Sequence, residues 1–222
     1  MFKKFKELFG SENLLDLAFD KTLTMMEFDY KMYKASKQTL RDSDSDELPF
    51  DFKKTDRKIN KYEREVRRNV LTHLSVAGTQ NIVPGLVLVS IVIDVERIGD
   101  YTKNIAGLAK MNPKKLDGDQ IESQLQKIES YIDEHFPIVT EVLKSQDKKK
   151  ARQVMAKEEE ISKIVDSMIK ELVTNKTMDI SCSEAVILAM YIRFLKRINA
   201  HLTNIASAIV NPFPRIGFRE KE

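Results

Sequence analysis

The chain has 222 residues, enough for one large domain or two small ones, with 32% charged and 42% hydrophobic residues. Leu, Ile, Val and Phe occur throughout, which excludes a disordered chain, and 7 glycines and 6 prolines are too few for the many tight turns of an all-β fold. The net charge of +3, from 37 basic and 34 acidic residues whose signs interleave, offers no basic block for nucleic acid.

Residues Met1 to Phe9 read as a short amphipathic helix. Phe2, Phe5, Leu8 and Phe9 share a face, and Lys3, Lys4 and Lys6 lie away from it. Its charge is not that of a secretory signal. Such a face suits docking on a membrane or a transporter, or packing on its own bundle or a second copy; its shortness favours protein over lipid.

A first long helix follows, with Phe19, Leu23, Met26, Tyr30 and Tyr33 on one face at spacings of three and four. Arg41 to Pro49 break it. Asp42, Asp44 and Asp46 alternate there like the start of a calcium loop, but Glu47 and Lys53 stand where Gly and Glu are needed, so an acidic connection is expected. The second helix carries Ile59, Tyr62, Val66 and Val70. The third runs from Asn81 or Pro84 to Lys110 and stops at Asn112-Pro113. Its apolar stretch, Ile82 to Ile93, is too short for a membrane span and reads as the buried centre of a bundle.

The plan then repeats. Ile121, Leu125, Ile128 and Ile132 mark a fourth helix, which Pro137 is expected to kink or interrupt. Ser145 to Lys150 make a turn. Ile161, Ile164, Met168 and Leu172 mark a fifth helix, and the sixth runs from about Ser183 to Val210, stopped by Asn211-Pro212. The single cysteine, Cys182, allows no internal disulfide; a reducing cytoplasm and a packed thiol are expected.

Arg97, Ile98, Asn104, Ile105 and Ala106 recur in register as Arg197, Ile198, Asn204, Ile205 and Ala206, each set followed by an Asn-Pro stop. A duplication is the economical explanation. The predicted fold is all-α, two tandem antiparallel three-helix bundles, divided as an amphipathic segment at 1–10, a first repeat at 11–114 and a second, degenerate repeat at 115–222. The third and sixth helices, the most apolar, should lie deepest.

The segment Glu96-Arg97-Ile98-Gly99-Asp100-Tyr101-Thr102-Lys103-Asn104-Ile105-Ala106 resembles the signature of PhoU proteins, an E-R-I-G-D segment followed by N-I-A, usually once per repeat. The likeness in architecture covers nearly the whole chain. It implies a cytoplasmic regulator, free or peripheral to the inner membrane, that represses phosphate uptake and the starvation response. The implied partners are a phosphate transporter or a phosphate-sensing histidine kinase complex at the membrane. A homo-oligomer, most simply a dimer, is also expected. Some members bind metal through the carboxylates of the E-x-x-x-D motif.

Glu96 and Asp100 sit one helical turn apart and present oxygens suited to a hard or borderline cation. Two ligands are not a site; Asp56 and Asn60 on the second helix share that spacing and are the best candidates for the others, with Glu63 as a further possibility. The resemblance thus implies a divalent or iron-type metal ion, in the first repeat only, because Lys196 and Ala200 replace both acids in the second. The competing reading makes these acids a solvated face, ion-paired to Arg57, Arg64 or Lys103. Arg97, Arg197, Asn104 and Asn204 persist where the acids do not, which suits structural roles, with the Asn side chains satisfying buried groups. His201 reads as a packed or hydrogen-bonded side chain.

No Glu-x-x-His, P-loop, glycine-rich phosphate cradle or nucleophile elbow occurs, and His73, His135 and His201 lie far apart in sequence. A non-enzymatic regulator is therefore expected. Two alternatives stay open: a metal-binding helical protein, or a ligand-free helical scaffold unrelated to phosphate transport.

Overall fold

The structure, a computed structural model, describes residues 14–76, 79–174 and 178–220. The expectations for Met1 to Phe9 lie outside the described residues. The long helices are α1 (Leu14–Asp42), α2 (Phe52–Val76), α3 (Ile82–Met111), α4 (Glu122–Ser145), α5 (Lys148–Thr174) and α6 (Cys182–Val210), with short 3-10 turns at Thr79–Asn81, Asp119–Ile121 and Phe213–Arg215. No strand occurs among the described residues. No helix among them is long and apolar enough to cross a membrane.

Local chemistry sets the boundaries. Asp51 Oδ1 accepts the Lys54 N–H at 3.0 Å and so caps the start of α2. Asp147 Oδ1 does the same for α5, accepting from the Lys149 and Lys150 N–H groups at 2.9 and 3.1 Å. Between α4 and α5 the chain turns on Gln146, held at φ 60° in the left-handed region. Ser181 and Glu184 form a reciprocal capping box at the start of α6.

Helices α1, α2 and α3 pack into one bundle and α4, α5 and α6 into the other. The bundles meet along α3 and α6, which run antiparallel: Asp94 of α3 reaches His201 and Asn204 of α6, while Tyr101 reaches Arg197 and Phe194. A second seam joins α1 to α4. There Tyr30 and Tyr33 stack on Phe136 at ring-centre distances of 5.0 and 5.5 Å. The buried spine of α3, Leu88, Ile91, Val92, Val95 and Ile98, and that of α6, Leu188, Tyr191, Ile192, Leu195 and Ile198, have almost no exposure. As expected, the most apolar helices lie at the centre, where each is packed on several sides.

The repeat extends beyond the signature. Buried Ile59, Val66 and Val70 on α2 recur with identical spacing as Val154, Ile161 and Val165 on α5. Phe19, Met26, Asp29 and Tyr33 on α1 recur likewise as Leu125, Ile132, His135 and Val139 on α4.

Two expectations need correction and one is narrowed. Of the kink or interruption expected at Pro137, the interruption does not occur: α4 continues through it to Ser145. Burial of Phe136, Val139, Val142 and Leu143 on either side holds the helix together despite the missing N–H. Cys182 is exposed, not packed, because it opens α6 on the solvent side of the cap. Asn104 is exposed and satisfies no buried group, unlike its counterpart Asn204.

Candidate functional site

Part of the signature segment, Gly99 and Lys103, faces α1 and α2, and it is there that the acids gather. Asp56 and Asn60 sit one turn apart on α2, with Asn60 Nδ2 donating to Asp56 Oδ2 at 3.4 Å. Glu96 and Asp100 sit one turn apart on α3. Between the helices stands Lys103, whose Nζ donates to Asp56 Oδ1 at 2.8 Å and to Asp100 Oδ1 at 2.9 Å. Arg97 closes the outer side, 3.2 Å from Asp100 and 3.6 Å from Glu96. Glu63 pairs with Arg67 at 2.6 Å and adds its charge to those acting on Glu96.

The electrostatics follow from this crowding. Burial works against the Lys103 ammonium, but its hydrogen bonds to Asp56 and Asp100 outweigh that and hold its pKa above the usual lysine value. Burial and the nearby Asp100 push Glu96 up despite the opposing Arg97. Beneath them lies Asp29 of α1, fully buried, with neither carboxylate oxygen in a hydrogen bond. Burial first, then the charges of Glu96, Asp56 and Asp100, drive its pKa well above the usual range. Gly99 makes room for it: a Cβ there would stand 2.8 Å from Asp29 Oδ1.

Asp29 is the member of this cluster that sequence reading missed. No motif surrounds it, but it falls in the buried stripe Met25, Met26, Asp29, Met32 and Tyr33. An acid at that register is a legible signal, since a buried carboxylate is costly unless something compensates it.

The corresponding place in the second repeat is built differently. His135 stands at the position of Asp29, Asn199 at that of Gly99, Glu158 at that of Glu63, and Thr203 at that of Lys103. These four make a linear hydrogen-bond chain: His135 Nδ1 donates to Asn199 Oδ1 at 2.8 Å, Asn199 Nδ2 donates to Glu158 Oε2 at 2.5 Å, and Thr203 Oγ1 donates to the same oxygen at 3.3 Å. Ala151 and Ala200 replace Asp56 and Asp100, and Lys196 is drawn off to Asp166 at 2.8 Å. A cavity of about 590 Å³ opens beside Glu158 and Thr203, under the C-terminal tail. Its rim charges are paired with each other, Arg152 with Glu220 at 2.7 Å and Arg219 with Glu159 at 3.2 Å.

The structure therefore brings Asp56 and Asp100 together on Lys103, with Asn60 held on the far oxygen of Asp56 and Glu96 beside Arg97. Among the described residues no three His, Cys, Asp or Glu side chains gather closely enough to hold a metal ion. The pairing of Asp56 and Asp100 with Lys103 is the ion-paired face that the sequence offered as the competing reading. His201 is hydrogen-bonded, as expected, and Arg197 and Asn204 serve the interface between the repeats.

Comparison with known proteins is consistent across sequence and fold. The PhoU domain model matches this chain twice, over residues 22–109 and 125–209. An uncharacterized protein of Methanocaldococcus jannaschii is 28% identical over 215 residues, 91% of this chain and 71% of its own. The crystal structure of PhoU from Pseudomonas aeruginosa superposes with a TM-score of 0.79 at 22% identity, covering 89% of this chain and 95% of that one. The phosphate transport system regulatory protein PhoU from Streptococcus pneumoniae gives 0.76 at 18% identity, over 88% and 93%. With two copies of the domain spanning most of its length, this chain belongs to the PhoU family.

Proposed function

We propose that the chain regulates phosphate transport as an adaptor, binding a membrane-bound phosphate transporter or a phosphate-sensing kinase complex and doing no chemistry itself. The observation that carries this reading is the pair of PhoU domains, on the fold shared with a protein described as a regulator of a phosphate transport system. An adaptor needs a surface that distinguishes its partner, and α2 supplies one. Arg57, Lys61, Arg64 and Arg68 recur at spacings of four, three and four and all are exposed. The equivalent positions on α5 are Arg152, Ala156, Glu159 and Lys163, so the basic stripe belongs to the first repeat alone. A stripe of this kind suits an acidic patch on the partner and would raise the rate of encounter more than the final affinity.

Deleting the gene tests the reading. Phosphate uptake should rise, or starvation genes should be released, when phosphate is plentiful, and the intact gene should restore repression. A variant carrying Arg57→Glu, Arg64→Glu and Arg68→Glu should keep its helical melting curve and fail to restore it. A deletion strain with unchanged uptake and unchanged starvation-gene expression would sink the regulatory reading. A fully active triple variant would sink only the choice of surface.

A further inference from the structure

We propose that Lys103 is the resident cation of the first repeat, so that the acids of the signature are balanced within the chain and a divalent metal ion can enter only by displacing the lysine. The inference does not depend on the regulatory role. Its basis is position. The ammonium lies 2.8 Å from Asp56 and 2.9 Å from Asp100, carboxylates of two different helices, and so bridges them. Side-chain exposure there is modest, 34% for Lys103 and 15% for Asp56, so the pair is shielded more than a surface bridge. Arg97 adds a second positive charge on Asp100 and Glu96. A dication would meet two fixed cations and would have to take from Lys103 the very oxygens that hold it.

The second repeat supports the same logic from the other side. There Thr203 replaces the lysine, and Ala151 and Ala200 replace the two acids it bridges. Lysine and acids are thus present together in one repeat and absent together in the other, as expected if they form one unit. Had the acids been kept for a metal ion, a lysine tethered among them would oppose its binding.

The test uses the full chain, stripped with a chelator and titrated with Mn²⁺ by calorimetry and by thermal melting. Lys103→Met should bind Mn²⁺ at least about tenfold more tightly than wild type, with a matching rise in melting temperature, because a competing unit charge is gone. Adding Asp100→Asn to that variant should abolish the gain. Lys103→Arg, which keeps the charge, should show none. Should Lys103→Met fold poorly, Lys103→Thr takes its place, since Thr203 stands at that position in the second repeat. Equal binding by wild type and Lys103→Met overturns the proposal, and so does an absence of binding in both, because removing the lysine would then have opened nothing.

Discussion

Asp94 and His201 join the two repeats: His201 Nδ1 donates to the Asp94 carboxylate at 2.7 Å, with side-chain exposures of 10% for His201 and 15% for Asp94. The same carboxylate oxygen accepts from Asn204 at 3.1 Å, and Arg197 approaches His201 Nε2 at 3.4 Å. The tautomer with hydrogen on Nδ1 satisfies both ring nitrogens. Asp94→Ala strands two donors on α6 at once. It should cost about 2–3 kcal/mol in urea unfolding, as for hydrogen bonds to a charged acceptor. A double-mutant cycle with His201→Ala should return a coupling of about 1–3 kcal/mol. Additive effects would mean that Asp94 and His201 contribute no joint interaction to the seam.

Two glycines of α3 should respond oppositely to the same substitution. Gly99→Ala places a methyl 2.8 Å from Asp29 Oδ1 and 3.3 Å from Ile59 in a packed core, and should destabilise by about 1–3 kcal/mol. Gly107 has nothing within 4 Å of a built Cβ, so Gly107→Ala should stabilise by up to about 1 kcal/mol through helix propensity. Denaturation midpoints of the two variants settle the matter. Equal shifts would show that Asp29 does not need the space.

Arg41 of α1 bridges to the second repeat. It donates to Glu129 at 2.9 Å and also to Glu122 and the Leu116 carbonyl, while Tyr191 donates to Glu129 at 2.7 Å. Burial raises the Glu129 pKa even against the pull of Arg41. Arg41→Met leaves that acid without its counter-ion and should cost about 3–5 kcal/mol. Glu129→Gln in the same chain should recover part of the loss. Equilibrium unfolding of both variants gives the comparison.

His135 makes the second bundle sensitive to acid. Burial lowers its pKa from the ordinary 6.5, only partly offset by its hydrogen bond to Asn199. The folded state therefore disfavours the charged ring. Stability from this group is full above the unfolded pKa and is lost as pH falls through it toward the lower folded value. Melting temperature should thus fall as pH drops below about 6.5. His135→Gln should flatten that limb by up to one proton's worth, about 1.4 kcal/mol per pH unit. An unchanged slope would rule out His135 as the source of the acid limb.

Periodicity was enough to determine the helices, and the in-register recurrence of Arg97, Ile98, Asn104, Ile105 and Ala106 the duplication. Ile59, Val66 and Val70, like Ile161 and Met168 of the fifth helix, must face a core because burying apolar area is the dominant favourable term in folding. The Asn-Pro stops after α3 and α6 depend on local backbone restriction, so both ends could be read directly. Glu96 and Asp100 were legible as a pair because one helix sets their spacing. The partner of that pair was not, since Lys103 was one of three cations within reach and only the packing of α2 on α3 selects it over Arg57 and Arg64. Asp29 joins the cluster, and His135 its counterpart, through contacts between helices distant in the chain. The basic stripe of α2 was hidden because alternating signs along the chain separate onto different faces once the helix has formed and docked. Patterns confined to one helix were determined by the sequence alone; what the charged groups face, and so whether an acid meets a metal ion, a lysine or a hydrogen-bond chain, was decided only when the six helices closed around one another.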